Sequence, residues 1–124
     1  MNTKMVAEYC LSKPGAVLEH PYGPQHPAVF KCGGKIFIVF LEKDDEAWLH
    51  LKFEPLFADF IKERYPSITG AYNYANWSKV PLDSSVPADE VTLLIDHSYQ
   101  LIFRSLTKKV QGVIEQDNRR ESEG

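Results

Sequence analysis

Apolar and polar positions along this chain follow two periods, and the change from one to the other divides it into elements. Met5, Val6, Tyr9 and Cys10 recur at i, i+1, i+4 and i+5, one stripe of a 3.6-residue period, which predicts a short opening helix. Thr3 stands where a side chain would cap it, and Lys13 followed by Pro14-Gly15 stops it. Ala16 to His20 reads as a short strand, and Pro21, Gly23, Pro24 and Pro27 then impose a loop. From Ala28 the period is two. Ala28 to Cys32 and Lys35 to Leu41 flank Gly33-Gly34, the pair selected by a two-residue hairpin turn with positive φ at both central positions. The unbroken apolar run Ile36 to Leu41 predicts a central strand buried on both faces. After the charged turn Glu42 to Glu46, residues Ala47 to Phe53 alternate strictly. Leu49, Leu51 and Phe53 point one way, and Trp48, His50 and Lys52 the other.

The helical period returns at Glu54-Pro55, where proline suits the first turn and Leu56, Phe57, Phe60 and Ile61 are expected to form the buried stripe of a helix that ends at Tyr65-Pro66. Ser67 to Tyr74 reads as irregular, and Trp77 to Leu82 as a short strand that Pro81 restricts to an edge or a bulge. Ser84 or Ser85 caps a final helix with Pro87 in its first turn and Asp89-Glu90 facing its positive end. Its stripe runs through Val91, Leu94, Ile95, Ser98, Leu101, Ile102 and Leu106. Beyond Leu106 the periodicity fades. Lys108, Lys109, Arg119 and Arg120 there balance Glu115, Asp117, Glu121 and Glu123. Residues 1–106 are therefore expected as one domain and 107–124 as a polar tail, disordered toward its end. The order is helix, three or four strands, helix, strand, helix. Strands grouped between helices predict the α+β class: a single two-layer domain with an antiparallel sheet and helices on one face.

Composition narrows the function classes. The 124 residues carry 14 Lys and Arg against 17 Asp and Glu, a net charge of −3, where dedicated DNA-binding domains are usually basic. No signal peptide opens the chain and no apolar run approaches bilayer length, so a cytoplasmic, membrane-free protein is expected, most simply a monomer. Cys10 and Cys32 belong to no Cys-x-x-Cys pair and sit in apolar runs, which predicts buried free thiols, with a single disulfide as the other option.

Catalytic signatures are missing. There is no phosphate loop, dinucleotide fingerprint or nucleophile elbow, and Gly33-Gly34 serves a turn. His20 and His26 share the proline-rich loop at a spacing foreign to metal ligands, and His97 lies mid-helix as a packed or surface residue. No enzyme, metal or cofactor is predicted. Recognition is left. Trp48, His50 and Lys52 on one strand and Trp77 with Lys79 on another are the residue types that meet phosphates and bases, although the same rings can pack against a loop or helix.

The segments Asn76-Trp77-Ser78-Lys79-Val80-Pro81-Leu82-Asp83, Val86-Pro87-Ala88-Asp89-Glu90 and Ile95-Asp96-His97-Ser98-Tyr99-Gln100-Leu101 resemble the MmcQ/YjbR family of small bacterial proteins. So do the helix end Tyr9 to Ala16, Lys35-Ile36-Phe37, and Leu51-Lys52-Phe53-Glu54-Pro55, giving a resemblance over roughly 3–106. It implies a CyaY-like, secretion-chaperone-like α+β fold and the DNA-binding role through a double-wing motif proposed for that family. The family's patterned Lys, Trp and Ser-Tyr pair fall on Lys52, Trp77, Ser98 and Tyr99. A basic Lys-x-His usually precedes the Trp, but Tyr74-Ala75-Asn76 stands here, which removes positive charge.

Two readings follow. In the first, Lys31, Lys35, Lys52 and Lys79 meet DNA phosphates, with His50 and the rings of Trp48, Tyr74 and Trp77 beside them. In the alternative, a chaperone-like or peptide-binding module receives a protein on its aromatic face or an open sheet edge. A continuous positive surface over Lys52 and Lys79 favours the first and a patchy one the second. A small-ligand pocket beneath Pro21–Pro27 is a third option.

Overall fold

Two tight hairpins generate the central sheet. In the computed structural model, which describes residues 2–21, 23, 27–71 and 76–123, β2 (Ala28–Cys32) returns as β3 (Lys35–Lys43) through Gly33 and Gly34 at φ 58° and 83°. β3 returns as β4 (Glu46–Lys52) through Asp44 and Asp45 at φ 51° and 67°. Both turns are left-handed at both central residues. The second uses aspartate, whose short polar side chain tolerates that region better than most. β1 (Ala16–Glu19) pairs with β2, while β6 (Trp77–Pro81) pairs with β4 on one side and β5 (Thr69–Gly70) on the other. The result is a six-stranded antiparallel sheet in the order β1-β2-β3-β4-β6-β5.

The helices α1 (Thr3–Leu11), α2 (Pro55–Arg64) and α3 (Ala88–Ser105) supply the second layer. Val6 and Cys10 of α1, Ala58 and Ile61 of α2, and Val91, Leu94, Ile95 and Ile102 of α3 pack on Phe30, Phe37, Ile38, Leu49 and Leu51 of the sheet. The expected α+β architecture is what folds. Two serines sit inside it. Ser98 accepts the Lys52 amide at 2.9 Å and donates to the Phe37 carbonyl at 2.6 Å. The β2–β3 register slips between Phe30 and Lys31, so Phe37 is an extra residue and the β3–β4 ladder starts at Ile38 and Leu51. The Ser98 hydroxyl replaces the ladder where the strands part. Ser78 on β6 is equally buried, and its hydroxyl has no hydrogen-bond partner among the described residues.

Several expectations need correction, first among them the α2 stripe: of its four residues only Ile61 is buried and Phe57 half-buried, while Leu56 and Phe60 are exposed, and Thr69–Gly70, within the stretch expected to be irregular, forms β5. Residues 108–123 are helical, forming α4 (Lys108–Glu123), where a polar tail was expected. Val110 and Ile114 sit at i and i+4 and approach Gly33 and Gly15 closely, and that contact outweighs the charged background. The α1 cap is Asn2, whose Oδ1 accepts the Met5 amide at 2.9 Å, one residue before the predicted Thr3. Neither Ser84 nor Ser85 caps α3, since the Ser85 amide bonds Asp83 and its hydroxyl bonds Ser67. β3 is central, but only Phe37 and Ile38 are fully buried, with Val39, Phe40 and Leu41 half-buried, so it is not buried on both faces. Pro81 does sit at an effective edge. Leu82 donates to Ala47 of β4, so the alternation turns the Pro81 nitrogen outward, beyond Thr69, the first residue of β5.

Candidate binding face

The sheet's second face carries the residues picked out by type. Register pairs His50 with Lys79, Lys52 with Trp77 and Trp48 with Pro81, all facing away from buried Leu49, Leu51 and Val80. All of these except the buried three are half-buried, so the rings are neither core nor freely projecting. Lys79 lies diagonally across from Trp48, and its ammonium sits 4.6 Å from the centre of the indole. Burial, with Lys79 adding to it, lowers the His50 pKa and keeps the imidazole neutral at pH 7.

The other predicted positions are not brought together with these. Lys31 lies on β2 and is matched by Glu19 at 2.8 Å. Lys35 is directed into the helical layer, where its ammonium donates to the Ser105 carbonyl and hydroxyl, each at 3.3 Å, at the negative end of α3. Tyr74 lies outside the described residues, as does most of the Pro21–Pro27 loop. The positive face of four lysines is therefore reduced to Lys52 and Lys79. Lys79 also lines a groove of about 250 Å³, together with Trp48, Pro81 and Leu82 and the carboxylates of Asp45, Glu46 and Asp83. Hydrogen bonds from Ser85 hold the Asp83 carboxyl below the usual carboxylate range. Those carboxylates read in sequence as solvated turn residues. The tertiary pairing of β4 with β6 is what gathers them beside an indole.

Other polar clusters are structural. Asp96 on α3 accepts the Tyr9 hydroxyl and pairs with Lys13, whose ammonium lies 4.8 Å from the Tyr9 ring and 5.9 Å from that of Tyr99. Burial works against the Lys13 charge, but Asp96 and Tyr9 outweigh it and hold its pKa above the ordinary value. Burial and the bond to Asp96 raise the Tyr9 hydroxyl, so neither group is activated as a base or nucleophile at neutral pH. The Tyr99 hydroxyl donates to the Pro14 carbonyl at 2.6 Å, tying α3 to the end of α1. Cys10 and Cys32 are buried and unbridged, and burial pushes the Cys10 thiol up to about 12. Among the described residues no three His, Cys, Asp or Glu side chains converge as a metal ion requires.

His97 stacks on Phe57 with centroids 4.0 Å apart and meets Phe53 edge-on, and its buried Nε2 has no partner. Burial lowers its pKa, and Arg104 adds to this while Glu54 opposes it. Above the unfolded value of about 6.5 the ring is neutral in both states. Below it the unfolded chain protonates first, so stability should fall as pH drops through that value. His50 has the same sign. Thermal unfolding followed by circular dichroism should show the midpoint falling from pH 7 to about 5.5, and less steeply in His97→Gln. Equal slopes would remove His97 from the account.

Comparison with known proteins places the chain. The YjbR family model matches residues 11–101. The uncharacterized protein YjbR of Escherichia coli K12 is 25% identical over 118 residues, covering 94% of this chain and 99% of that one. The uncharacterized protein YbdF of Escherichia coli O157:H7 is 32% identical over 103 residues, or 82% of this chain and 84% of that one. In three dimensions, the crystal structure of Deinococcus radiodurans protein DR2400, with domain DUF419, superposes with a TM-score of 0.83 at 24% identity, covering 92% of this chain and 88% of that one. A Pseudomonas syringae protein superposes at 0.69, also at 24% identity, covering 82% and 99%. The family match covers the sheet, α2 and most of α3, and by it this chain belongs to the YjbR family.

Proposed function

We propose that this chain is a non-enzymatic binding protein that receives a protein partner on the open face of its sheet. One observation carries the reading: the β4–β6 register lines up Trp48, His50 and Lys52 beside Pro81, Lys79 and Trp77 on a half-buried surface of mixed charge. Half-buried indoles flanked by polar groups are the usual anchors of protein interfaces. A nucleic-acid site needs several unopposed cations along the phosphate track. Here Lys31 is matched by Glu19, Lys35 serves α3, and carboxylates border Trp48. The double-wing DNA reading proposed for the family draws support from Lys52 and Lys79 beside indoles, and it is the second reading.

A photocrosslinking residue at position 48 distinguishes the two in living cells, with position 93 on the exposed surface of α3 as the control. A discrete protein adduct from 48 and not from 93 is the expected result. Adducts to nucleic acid alone would overturn it. So would duplex binding by the purified chain whose log K falls by about 0.9 per phosphate contact for each log unit of salt.

A further inference from the structure

Resting on that reading, we propose that the groove beside Trp48 takes an arginine or lysine side chain from a basic segment of the partner. The groove is lined by that indole with Pro81 and Leu82, by Lys79, and by Asp45, Glu46 and Asp83, three carboxylates against one ammonium. Among the described residues none of these three carboxylates is used in an ion pair. Asp83 is held in place by the Ser85 amide at 3.0 Å. The indole already holds a cation, since the Lys79 ammonium rests 4.6 Å from its centre. The carboxylates do not converge on a point as metal ligands do, and so suit an extended organic cation more than an ion. An acidic partner would bring like charge against the three carboxylates, which disfavours it. A guanidinium brought over the ring would instead meet a π face and carboxylate acceptors together.

Lys79 then acts as an internal occupant of the site. A partner cation displaces it from the ring, so its removal should strengthen basic-peptide binding. For phosphate or an acidic peptide, removal should weaken binding. The sign decides between them.

The test measures fluorescence anisotropy of a labelled oligo-arginine peptide and an oligo-glutamate peptide against the full chain at low salt. The oligo-arginine peptide should bind and the oligo-glutamate peptide should not. Lys79→Met should tighten arginine-peptide binding by about two- to five-fold, the worth of one exposed cation–π contact. Lys109→Met changes net charge equally, on α4 and away from the indole, and should tighten it less. Trp48→Ala should weaken binding, as should the double variant Asp45→Asn with Glu46→Gln, whose exposed turn positions leave the core untouched. Weaker binding in Lys79→Met, an equal gain in Lys109→Met, or preference for oligo-glutamate would each overturn the proposal. If position 48 still crosslinks a protein in cells while the arginine peptide ignores Trp48, the cation groove is wrong and the docking face stands. Failure of both removes the docking reading as well.

Discussion

Ser98→Ala is expected to destabilise the fold by about 2–5 kcal/mol, because it strands two buried backbone groups at about 1–3 kcal/mol each. The Lys52 amide and the Phe37 carbonyl lie where the β3–β4 ladder has already opened around the bulge, so neither has another strand partner within reach. Alanine leaves both facing a hydroxyl-sized gap too small to admit water freely. Ser78→Ala is the matching control. Its hydroxyl is as deeply buried but unpartnered, so its loss should be neutral or stabilising, within about 1 kcal/mol. Urea denaturation of the two variants compares them directly, and hydrogen exchange at the Lys52 amide should accelerate in Ser98→Ala alone. If Ser98→Ala costs no more than Ser78→Ala, the hydroxyl does not bridge the strands. The result also bears on the binding face, because Lys52 is held at the strand end by this bond.

Gly33→Ala is expected to cost about 2–4 kcal/mol, combining a left-handed backbone with overpacking. Gly33 has φ 58°, and a Cβ there would stand 2.7 and 2.9 Å from the two Leu106 methyls and 3.1 Å from Val110. Leu106 is buried, so its methyls can yield only by lifting the α3–α4 junction off the hairpin. Gly34→Ala separates the two effects. Its φ is 83° with nothing within 4 Å of the added carbon, so only the backbone cost of about 1 kcal/mol remains. Equal losses in the two variants would mean that α4 does not press on the turn. A larger loss in Gly33→Ala, with faster tryptic cleavage at Lys108 or Lys109, would place the damage at the junction.

These two sites sharpen the role of the family's patterned residues. Ser98 joins two strands, and Tyr99 locks Pro14 while meeting Phe37 edge-on at 5.3 Å. Both hold the scaffold. Trp77 and Lys52, by contrast, are cross-strand partners on the open face.

Local periodicity was sufficient for most of the elements. The strict alternation of Ala47 to Phe53 separates Leu49 and Leu51 from Trp48, His50 and Lys52, because successive strand side chains must point to opposite faces. Gly33-Gly34 marks a hairpin because few other pairs accept positive φ twice. Long-range arrangement is a different matter. Strand β6 pairs with β4 across a whole intervening helix, and that pairing alone puts Lys79 on Trp48 and Asp83 near Asp45. Periodicity carries no information about which strand is a neighbour, since pairing depends on the net burial of all strands together. In the same way, the four lysines have one chemistry in sequence and three fates in space. One matches a carboxylate, one closes a helix, and two remain on the face. Helix α4 was hidden for a related reason: two aliphatic side chains among charges become a packing stripe only where Gly15 and Gly33 leave room for them. The amino-acid sequence by itself determined the fold class, five of the six strands and their outward residues, because those follow from each residue's immediate neighbours. Only the tertiary structure decided which outward residues share a surface and what charge borders it, because that depends on contacts between distant segments.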